Sequence, residues 1–215
     1  MKKRLHLPLI DNGIGLSRTS WALSLAVACM TTLRDYSVNI QSISYPYPDG
    51  AMNKATADFL ASDADEMVVI DTDVVFSREH LAFLLEHDEP LVFGLYPKKQ
   101  PGLEFPVVPL AENPAPFALD GSPLREVARC ARGFMRVHRS VFEKLKPHVP
   151  SFIDAQTGKT EYVFWQNLPG GHSEDFAFCD LWRSIGGRIL VDRRICAQHE
   201  GSVIYPIPGT FQKAA

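Results

Sequence analysis

The run Met67-Val68-Val69-Ile70-Asp71-Thr72-Asp73-Val74-Val75-Phe76 is the most informative part of the chain. Its first part is apolar and β-branched, which is typical of a buried strand. Asp71 and Asp73 follow at the carboxyl end of that strand, where open α/β sheets bind ligands. Because an isolated buried carboxylate is very costly, these aspartates need a cation or solvent beside them. The pattern indicates a metal and diphosphate site; the alternative is an Asp-rich turn that caps a helix starting near Ser77.

The composition indicates a globular α/β protein. The chain has 215 residues, of which 46% are hydrophobic and 22% are charged, enough for one domain with a substantial core. The net charge of -3 argues against a protein that coats nucleic acid non-specifically. Residues 1–4 resemble the basic start of a signal peptide, but the apolar run behind them is short and contains His6 and Pro8. We therefore expect a cytoplasmic protein without a membrane span.

The cysteines are scattered along the chain at Cys29, Cys130, Cys179 and Cys196, without a Cys-x-x-Cys pair. This distribution favours reduced thiols over a disulfide framework. Cys196 and His199 have the spacing of metal ligands, but the sequence offers no clear fourth ligand for a structural zinc site.

Strand and helix patterns alternate along the chain, which predicts a mainly parallel sheet with helices on its faces. Strands are predicted at 5–10, 38–43, 68–70, 91–95, 133–137 and 188–191, and helices at 19–33, 52–60, 78–86, 138–145 and 173–185. Pro8 should confine the first strand to an edge or a strand end. Seven prolines between residues 96 and 123 predict a long irregular segment. No repeat or second domain is evident, so we expect a single domain over residues 1–215.

Several motifs stand in a fixed order along residues 5–205. They are Asn53-Lys54-Ala55-Thr56-Ala57-Asp58-Phe59-Leu60, Ile70-Asp71-Thr72-Asp73, Gly94-Leu95-Tyr96-Pro97-Lys98-Lys99, Gly133-Phe134-Met135-Arg136-Val137-His138-Arg139-Ser140-Val141-Phe142-Glu143, Ser173-Glu174-Asp175-Phe176-Ala177-Phe178-Cys179 and His199-Glu200-Gly201. In this order the chain resembles glycosyltransferases of the GT-A fold, in particular small phage and bacterial members related to the inverting family that includes cellulose synthases. The resemblance implies a Rossmann-like GT-A domain.

The resemblance also implies a metal site and a catalytic base. Asp71 and Asp73 would form the Asp-x-Asp motif that binds Mn²⁺ or Mg²⁺, with His199 as a third ligand that favours manganese. Asp175, beside Glu174, would be the general base on the acceptor side. The alternatives are a structural histidine at position 199 and ordinary acid placement in the first turn of a helix at 174 and 175.

The donor nucleotide would be bound by the helix that contains Asn53 and by Asp71 and Asp73. Met52 stands where the family often has an arginine, so Asn12 and Arg18, in the loop after the first strand, are further candidates for nucleotide contacts. Polar residues in such a loop are as often only solvated.

The acceptor side would include Gly133, Arg132 and Trp165. Arg132 stands where a small residue is common, and it either reaches a phosphate or an acidic acceptor or lies on the surface. Trp165 either stacks on a sugar or a base or belongs to the core.

The sequence thus predicts a metal-dependent glycosyltransferase that moves a sugar from a nucleotide-diphosphate sugar, a UDP-sugar in the first instance, to an acceptor hydroxyl with inversion. A modified DNA base, a polysaccharide, a protein and a small molecule are all open as acceptors, and a phage-like enzyme would act in the cytoplasm of an infected host. One alternative is a nucleotidyltransferase acting on a sugar phosphate, suggested by Gly13-Ile14-Gly15-Leu16-Ser17-Arg18. The other is a non-catalytic module that binds carbohydrate or nucleotide.

Overall fold

The computed structural model describes residues 2–11, 19–112, 122–155, 157–170, 173–201 and 204–205. The helices are α1 (Thr19–Met30), α2 (Pro48–Ala61), α3 (Arg78–Leu85), α4 (Arg139–Leu145) and α5 (Glu174–Ser184), with 3-10 turns at Thr32–Asp35 and Lys146–His148. The strands are β1 (Arg4–Asp11), β2 (Ser37–Ser44), β3 (Glu66–Ile70), β4 (Val74–Val75), β5 (Leu91–Leu95), β6 (Val107–Val108), β7 (Leu124–Val127), β8 (Arg129–Cys130), β9 (Phe134–His138), β10 (Ser151–Ile153), β11 (Thr160–Tyr162), β12 (Ile189–Cys196), β13 (Gln198–Glu200) and β14 (Ile204–Tyr205).

Within the described residues, the largest sheet has seven strands in the order β2-β1-β3-β9-β5-β12-β7. Five of its strands point the same way, while β7 and β9 run opposite to them. The predicted α/β fold with a mainly parallel sheet is confirmed. The prediction lacked one feature: β9 is inserted between β3 and β5 and is antiparallel to both.

Helices cover both faces of this sheet. The alternating side chains of β3 divide between the faces: Met67 and Val69 join the core under α2, α4 and α5, while Val68 and Ile70 join the core under α1 and α3. A strand buried on both faces reads as a continuous apolar run, which explains the pattern at 67–70. Burial on both faces fixes the point at which β3 leaves the core, directly before Asp71.

The position of β1 corrects one prediction. β1 is an interior strand, with β2 along its whole length on one side and β3 on the other. Pairing with β3 is confined to Leu5 and His6 and ends before Pro8. The proline is therefore accommodated by the short pairing with β3 rather than by a place at the sheet edge.

The proline-rich segment contains little regular structure where it is described. β6 lies within it and pairs with β8, which follows the segment, and residues 113–121 lie outside the described part. Just beyond the segment, β7 adds a strand at the edge of the sheet that the sequence pattern did not predict. The cysteines are free thiols, as predicted. Across the described residues, every helix is too short or too polar to cross a membrane.

Candidate active site

The Asp71–Asp73 segment is a tight turn at the carboxyl end of β3. The Val74 N–H donates to the Asp71 carbonyl at 2.9 Å, and the Glu200 N–H donates to the Asp73 carbonyl at 2.7 Å. β4, which follows the turn, pairs with β13 in the register Val74 to His199. This pairing joins distant parts of the sequence and carries His199 to Asp73.

Asp73 is held between two basic side chains. Its Oδ1 lies 3.4 Å from His199 Nε2, and its Oδ2 accepts a hydrogen bond from Lys99 Nζ at 2.5 Å. Burial alone would raise the pKa of Asp73, but the hydrogen bonds and charges of His199 and Lys99 lower it to about 2. Asp73 is therefore ionised at neutral pH.

His199 presents one ring nitrogen to Asp73. Its Nδ1–H donates to the Pro97 carbonyl at 2.8 Å, because a carbonyl can only accept. The other ring nitrogen, Nε2, faces Asp73 Oδ1: when it carries a proton it pairs with the carboxylate, and when it is deprotonated its lone pair is available to a metal ion. A ring nitrogen fixed by a backbone carbonyl is the usual arrangement of a metal-binding histidine. Tyr96 packs edge-on against the ring, with centroids 5.1 Å apart.

Arg132 links the Asp-x-Asp turn to α5. Its guanidinium is buried, and its nitrogens lie 2.6 Å from Asp71, 3.3 Å from Asp175 and 3.6 Å from Glu174. Burial would lower the pKa of Arg132, but the three carboxylates raise it above its ordinary value. Arg132 is thus a charged group inside the site, which excludes a surface position.

Asp175 lies in the first turn of α5, mostly buried beside Arg132. Burial raises the pKa of Asp175 to about 7, against the opposing effect of the Arg132 guanidinium, and the Glu174 and Asp71 carboxylates raise it further. A carboxyl group of this kind exchanges a proton near neutral pH, as a general base must.

Gly133 is part of the scaffold of the site. Its N–H donates to Tyr96 Oη at 3.1 Å, and its carbonyl accepts from the Asp71 N–H at 2.9 Å. An added Cβ would lie 2.6 Å from Tyr96 Oη and 3.0 Å from Asp71 Oδ2, so only glycine fits. Both Gly133 backbone groups thus support the scaffold of the site, while the acceptor contact expected at Gly133 stays a prediction.

Two further predicted contacts are engaged elsewhere. The Asn53 side chain donates to the Trp165 carbonyl and accepts from the Phe164 and Trp165 N–H groups, which ties α2 to the segment before α5. The Trp165 indole is buried, stacked on Phe178 at 4.0 Å, and donates to Thr56. Asn53 thus uses its side-chain carbonyl and one amide N–H to hold the segment before α5, and the buried Trp165 indole lies in the core without an exposed face for a sugar. Asn12 and Arg18 lie outside the described residues.

The three predicted metal ligands do not converge as one set. Asp73 and His199 face each other, but Asp71 turns toward Arg132. A carboxylate and an imidazole with a fixed tautomer fit a Mn²⁺ or Mg²⁺ ion whose other ligands come from a diphosphate or from water.

A second cluster of possible metal ligands, made of two carboxylates and a histidine, lies near α3. Glu86, His87 and Asp192 place donor atoms within 4.8 Å of one another. The Arg194 guanidinium pairs with both Asp192 and Glu86 and already supplies the positive charge. In the structure as described, ion pairs with Arg194 hold this cluster together.

Lys99 and Tyr96 are site residues that the sequence pattern did not single out. Both belong to the quoted motif after β5, whose carboxyl end lies at the same sheet edge as that of β3. A polar or basic residue just past a buried strand at that edge is the signal that could have identified them.

Comparison with known proteins finds similarity in structure only. No protein-family model and no curated protein matches the sequence. The structure matches the crystal structure of A197 from STIV with a TM-score of 0.55 and 19% identity, covering 94% of this chain and 86% of A197. It matches a crystal structure of GalNAc-T7 with UDP, GalNAc and Mn²⁺ with a TM-score of 0.53 and 12% identity, covering 92% of this chain.

The chain spans 44% of the GalNAc-T7 chain, less than half of its length. The inositol-1-phosphate CTP transferase from T. maritima has a TM-score of 0.49 at 9% identity, covering 89% of this chain and 85% of that one, which is too distant to bear on fold or reaction. Identities this low establish the fold alone. The chain has the GT-A-like α/β fold that the sequence resemblance implied.

Proposed function

We propose that this chain is a metal-dependent glycosyltransferase that moves a sugar from a nucleotide-diphosphate sugar, a UDP-sugar in the first instance, to an acceptor hydroxyl with inversion. One observation carries the proposal. Arg132 joins the turn that contains Asp73, with its partner His199, to Asp175, whose pKa is about 7. A cation site linked through one guanidinium to a carboxylate base is an arrangement that suits inverting sugar transfer.

Asp73 and His199 would hold the metal ion. When bound, a divalent ion supplies Lewis-acid stabilisation for the negative charge that develops on the leaving diphosphate. The imidazole tilts the preference toward Mn²⁺. GalNAc-T7, which has this fold, was crystallised with UDP and Mn²⁺, and this supports the assignment. Asp71, which is paired with Arg132, would act through water or the nucleotide ribose.

Asp175 would accept the proton of the acceptor hydroxyl. As that oxygen bonds to the anomeric carbon, the bond from this carbon to the diphosphate oxygen breaks and the proton passes to the Asp175 carboxylate. A pKa near the working pH favours this transfer, since the group is both ionised often enough and basic enough.

Arg132 and Glu174 would position the base. Both are buried, and the guanidinium lies between Glu174, Asp175 and Asp71. The positive charge of Arg132 offsets the mutual repulsion of the three neighbouring carboxylates. It also keeps the pKa of Asp175 from rising further.

The test is release of nucleoside diphosphate from UDP-, GDP-, CDP- and ADP-sugars with Mn²⁺, with water standing in for the acceptor. We expect one donor to be cleaved and cleavage to be lost with chelator and in Asp73→Ala. Asp63→Ala is the matched control, because Asp63 is an aspartate with a side chain 81% exposed that pairs with Arg4.

Two other outcomes, measured with the same protein, would identify the alternative functions. Pyrophosphate release from a nucleoside triphosphate and a sugar phosphate would identify a nucleotidyltransferase, whose suggested motif at residues 13–18 lies outside the described part of the chain. Nucleotide binding without metal-dependent turnover would identify a binding module.

A further inference from the structure

Lys99 lies on the carboxylate that the proposed function assigns to the metal. Its Nζ is 2.5 Å from Asp73 Oδ2, and its side chain is 35% exposed. The chain reaches this position from the carboxyl end of β5, through Pro97, whose carbonyl fixes His199. Lys99 therefore belongs to the same sheet edge as both proposed metal ligands.

The neighbouring Lys98 points to a different partner. Its Nζ lies 3.2 Å from Glu104 Oε2, and its N–H donates to the Glu104 carbonyl at 2.7 Å. This attachment anchors the turn at Lys98 and leaves Lys99 directed at Asp73. Two adjacent lysines of the same chemistry thus have separate surroundings.

A divalent ion and the Lys99 ammonium compete for Asp73. His199 faces Oδ1 and Lys99 occupies Oδ2, so an ion held by Asp73 and His199 would lie close to the ammonium. Like charges a few ångströms apart repel strongly where solvent is partly excluded. The lysine head is carried on a flexible four-carbon stem, so it can leave Asp73 without a change in the backbone.

We propose that Lys99 is a movable counter-ion, which neutralises Asp73 in the metal-free protein and passes to the diphosphate oxygens of the nucleotide once the metal binds. The inference rests on the proposed function and adds to it a residue that contacts the leaving group. A diphosphate bound to the ion at Asp73 is the nearest large negative charge for the displaced ammonium. Lysine is a common phosphate-binding residue in proteins, where it acts as a point charge.

Two affinities should then change in opposite directions in Lys99→Ala. Mn²⁺ alone should bind about two- to fivefold more tightly, because a partly exposed ion pair that competes with it is gone. UDP in the presence of Mn²⁺ should bind about tenfold or more weakly, because a charge-assisted hydrogen bond to phosphate is lost. A residue that only supported the fold would not separate the two affinities in this way.

The experiment is calorimetric titration of the full chain with Mn²⁺ alone and with UDP in the presence of Mn²⁺, for the wild type, Lys99→Ala, Lys99→Arg and Lys98→Ala. We expect opposite shifts in Lys99→Ala, recovery of UDP binding in Lys99→Arg, and wild-type values in Lys98→Ala. Unchanged affinities in Lys99→Ala, or weakening of both, would overturn the lysine transfer while leaving the proposed function in place. A wild type that binds neither Mn²⁺ nor UDP would overturn both.

Discussion

Arg132 Nη1 lies 2.6 Å from Asp71 Oδ1, and the same guanidinium lies 3.3 Å from Asp175, so Arg132 joins the turn after β3 to the first turn of α5. The two segments lie far apart in the sequence and meet only in the fold. Because the Arg132 guanidinium is shared among Asp71, Glu174 and Asp175, a change to any of these carboxylates alters the electrostatic environment of the other two.

Replacement of Asp175 by asparagine should separate turnover from binding. We expect turnover to fall by ~100- to 10,000-fold, the usual effect of removing a general base, while nucleotide affinity stays nearly unchanged. Steady-state rates and calorimetry measure the two quantities. Asp180→Asn is the control, since Asp180 lies on the same helix beside Arg129. Near-normal turnover in Asp175→Asn would exclude the base.

The pH dependence of the rate should report the same carboxyl group. A base must be ionised, and the pKa of Asp175 is about 7, so turnover should fall as the pH drops below about 7. The pKa of Asp73 is about 2, so Asp73 stays ionised throughout this range. A rate profile between about pH 5 and 9 measures the effect. A rate that stays flat down to about pH 5 would contradict the assignment.

Stability should change with pH in the opposite sense. The folded pKa of Asp175 lies above its ordinary value of 3.8, so the folded state keeps a proton that the unfolded chain releases. The resulting stabilisation is fully present below pH 3.8 and is lost as the pH rises through about 7. Asparagine cannot ionise, so the stability of Asp175→Asn relative to the wild type should increase from about pH 5 to about pH 8. Urea unfolding at both values measures this, and a constant difference would refute it.

Removal of the Arg132 charge should destabilise the protein strongly. Arg132→Met leaves three carboxylates facing each other in a buried site, and breaking a buried pair in this way typically costs about 3–5 kcal/mol. Arg129→Met removes the more exposed pair with Asp180, which should cost no more than about 1 kcal/mol. Denaturant unfolding compares the two. Equal effects would show that Arg132 does not hold the site together.

Asn53 should prove structural. Asn53→Ala removes the hydrogen bonds to Phe164 and Trp165 and leaves their backbone groups without these partners, at a cost of about 2–4 kcal/mol. Nucleotide affinity should stay within about twofold, a negligible free-energy change. Unfolding and nucleotide titration are compared with Asn167→Ala, an exposed asparagine of the following loop. A loss of nucleotide affinity without a loss of stability would restore the predicted nucleotide contact.

The sequence predicted local structure better than long-range contacts. The apolar run before Asp71 predicted β3, because burial on both faces removes polar residues from a strand. The direction of β9 was not predictable, because an apolar strand has the same pattern whether it is parallel or antiparallel. The pairing of β4 with β13, which brings His199 to Asp73, also leaves no local signal.

The same difference applies to the site residues: those with a local sequence pattern were predictable, and those defined by long-range contacts were not. The aspartates were identifiable because two carboxylates one residue apart directly follow a buried strand at the edge where open α/β sheets bind ligands, while Lys99 lies in a proline-rich loop where lysines are commonly solvated. Trp165 and Asn53 were assigned to ligands because a large aromatic ring and an amide suit either a core or a binding site. Only the fold shows that both are engaged by neighbouring segments.

Asp73 and His199 are proposed to hold the metal ion to which a nucleoside diphosphate binds. The most direct measurement is calorimetric titration with UDP, GDP, CDP and ADP, each with Mn²⁺ and then with chelator, for the wild type, Asp73→Ala and Asp63→Ala. We predict metal-dependent binding of one nucleotide, lost in Asp73→Ala and kept in Asp63→Ala. Absence of binding by all four nucleotides, or binding indifferent to both the metal and Asp73, would contradict the account.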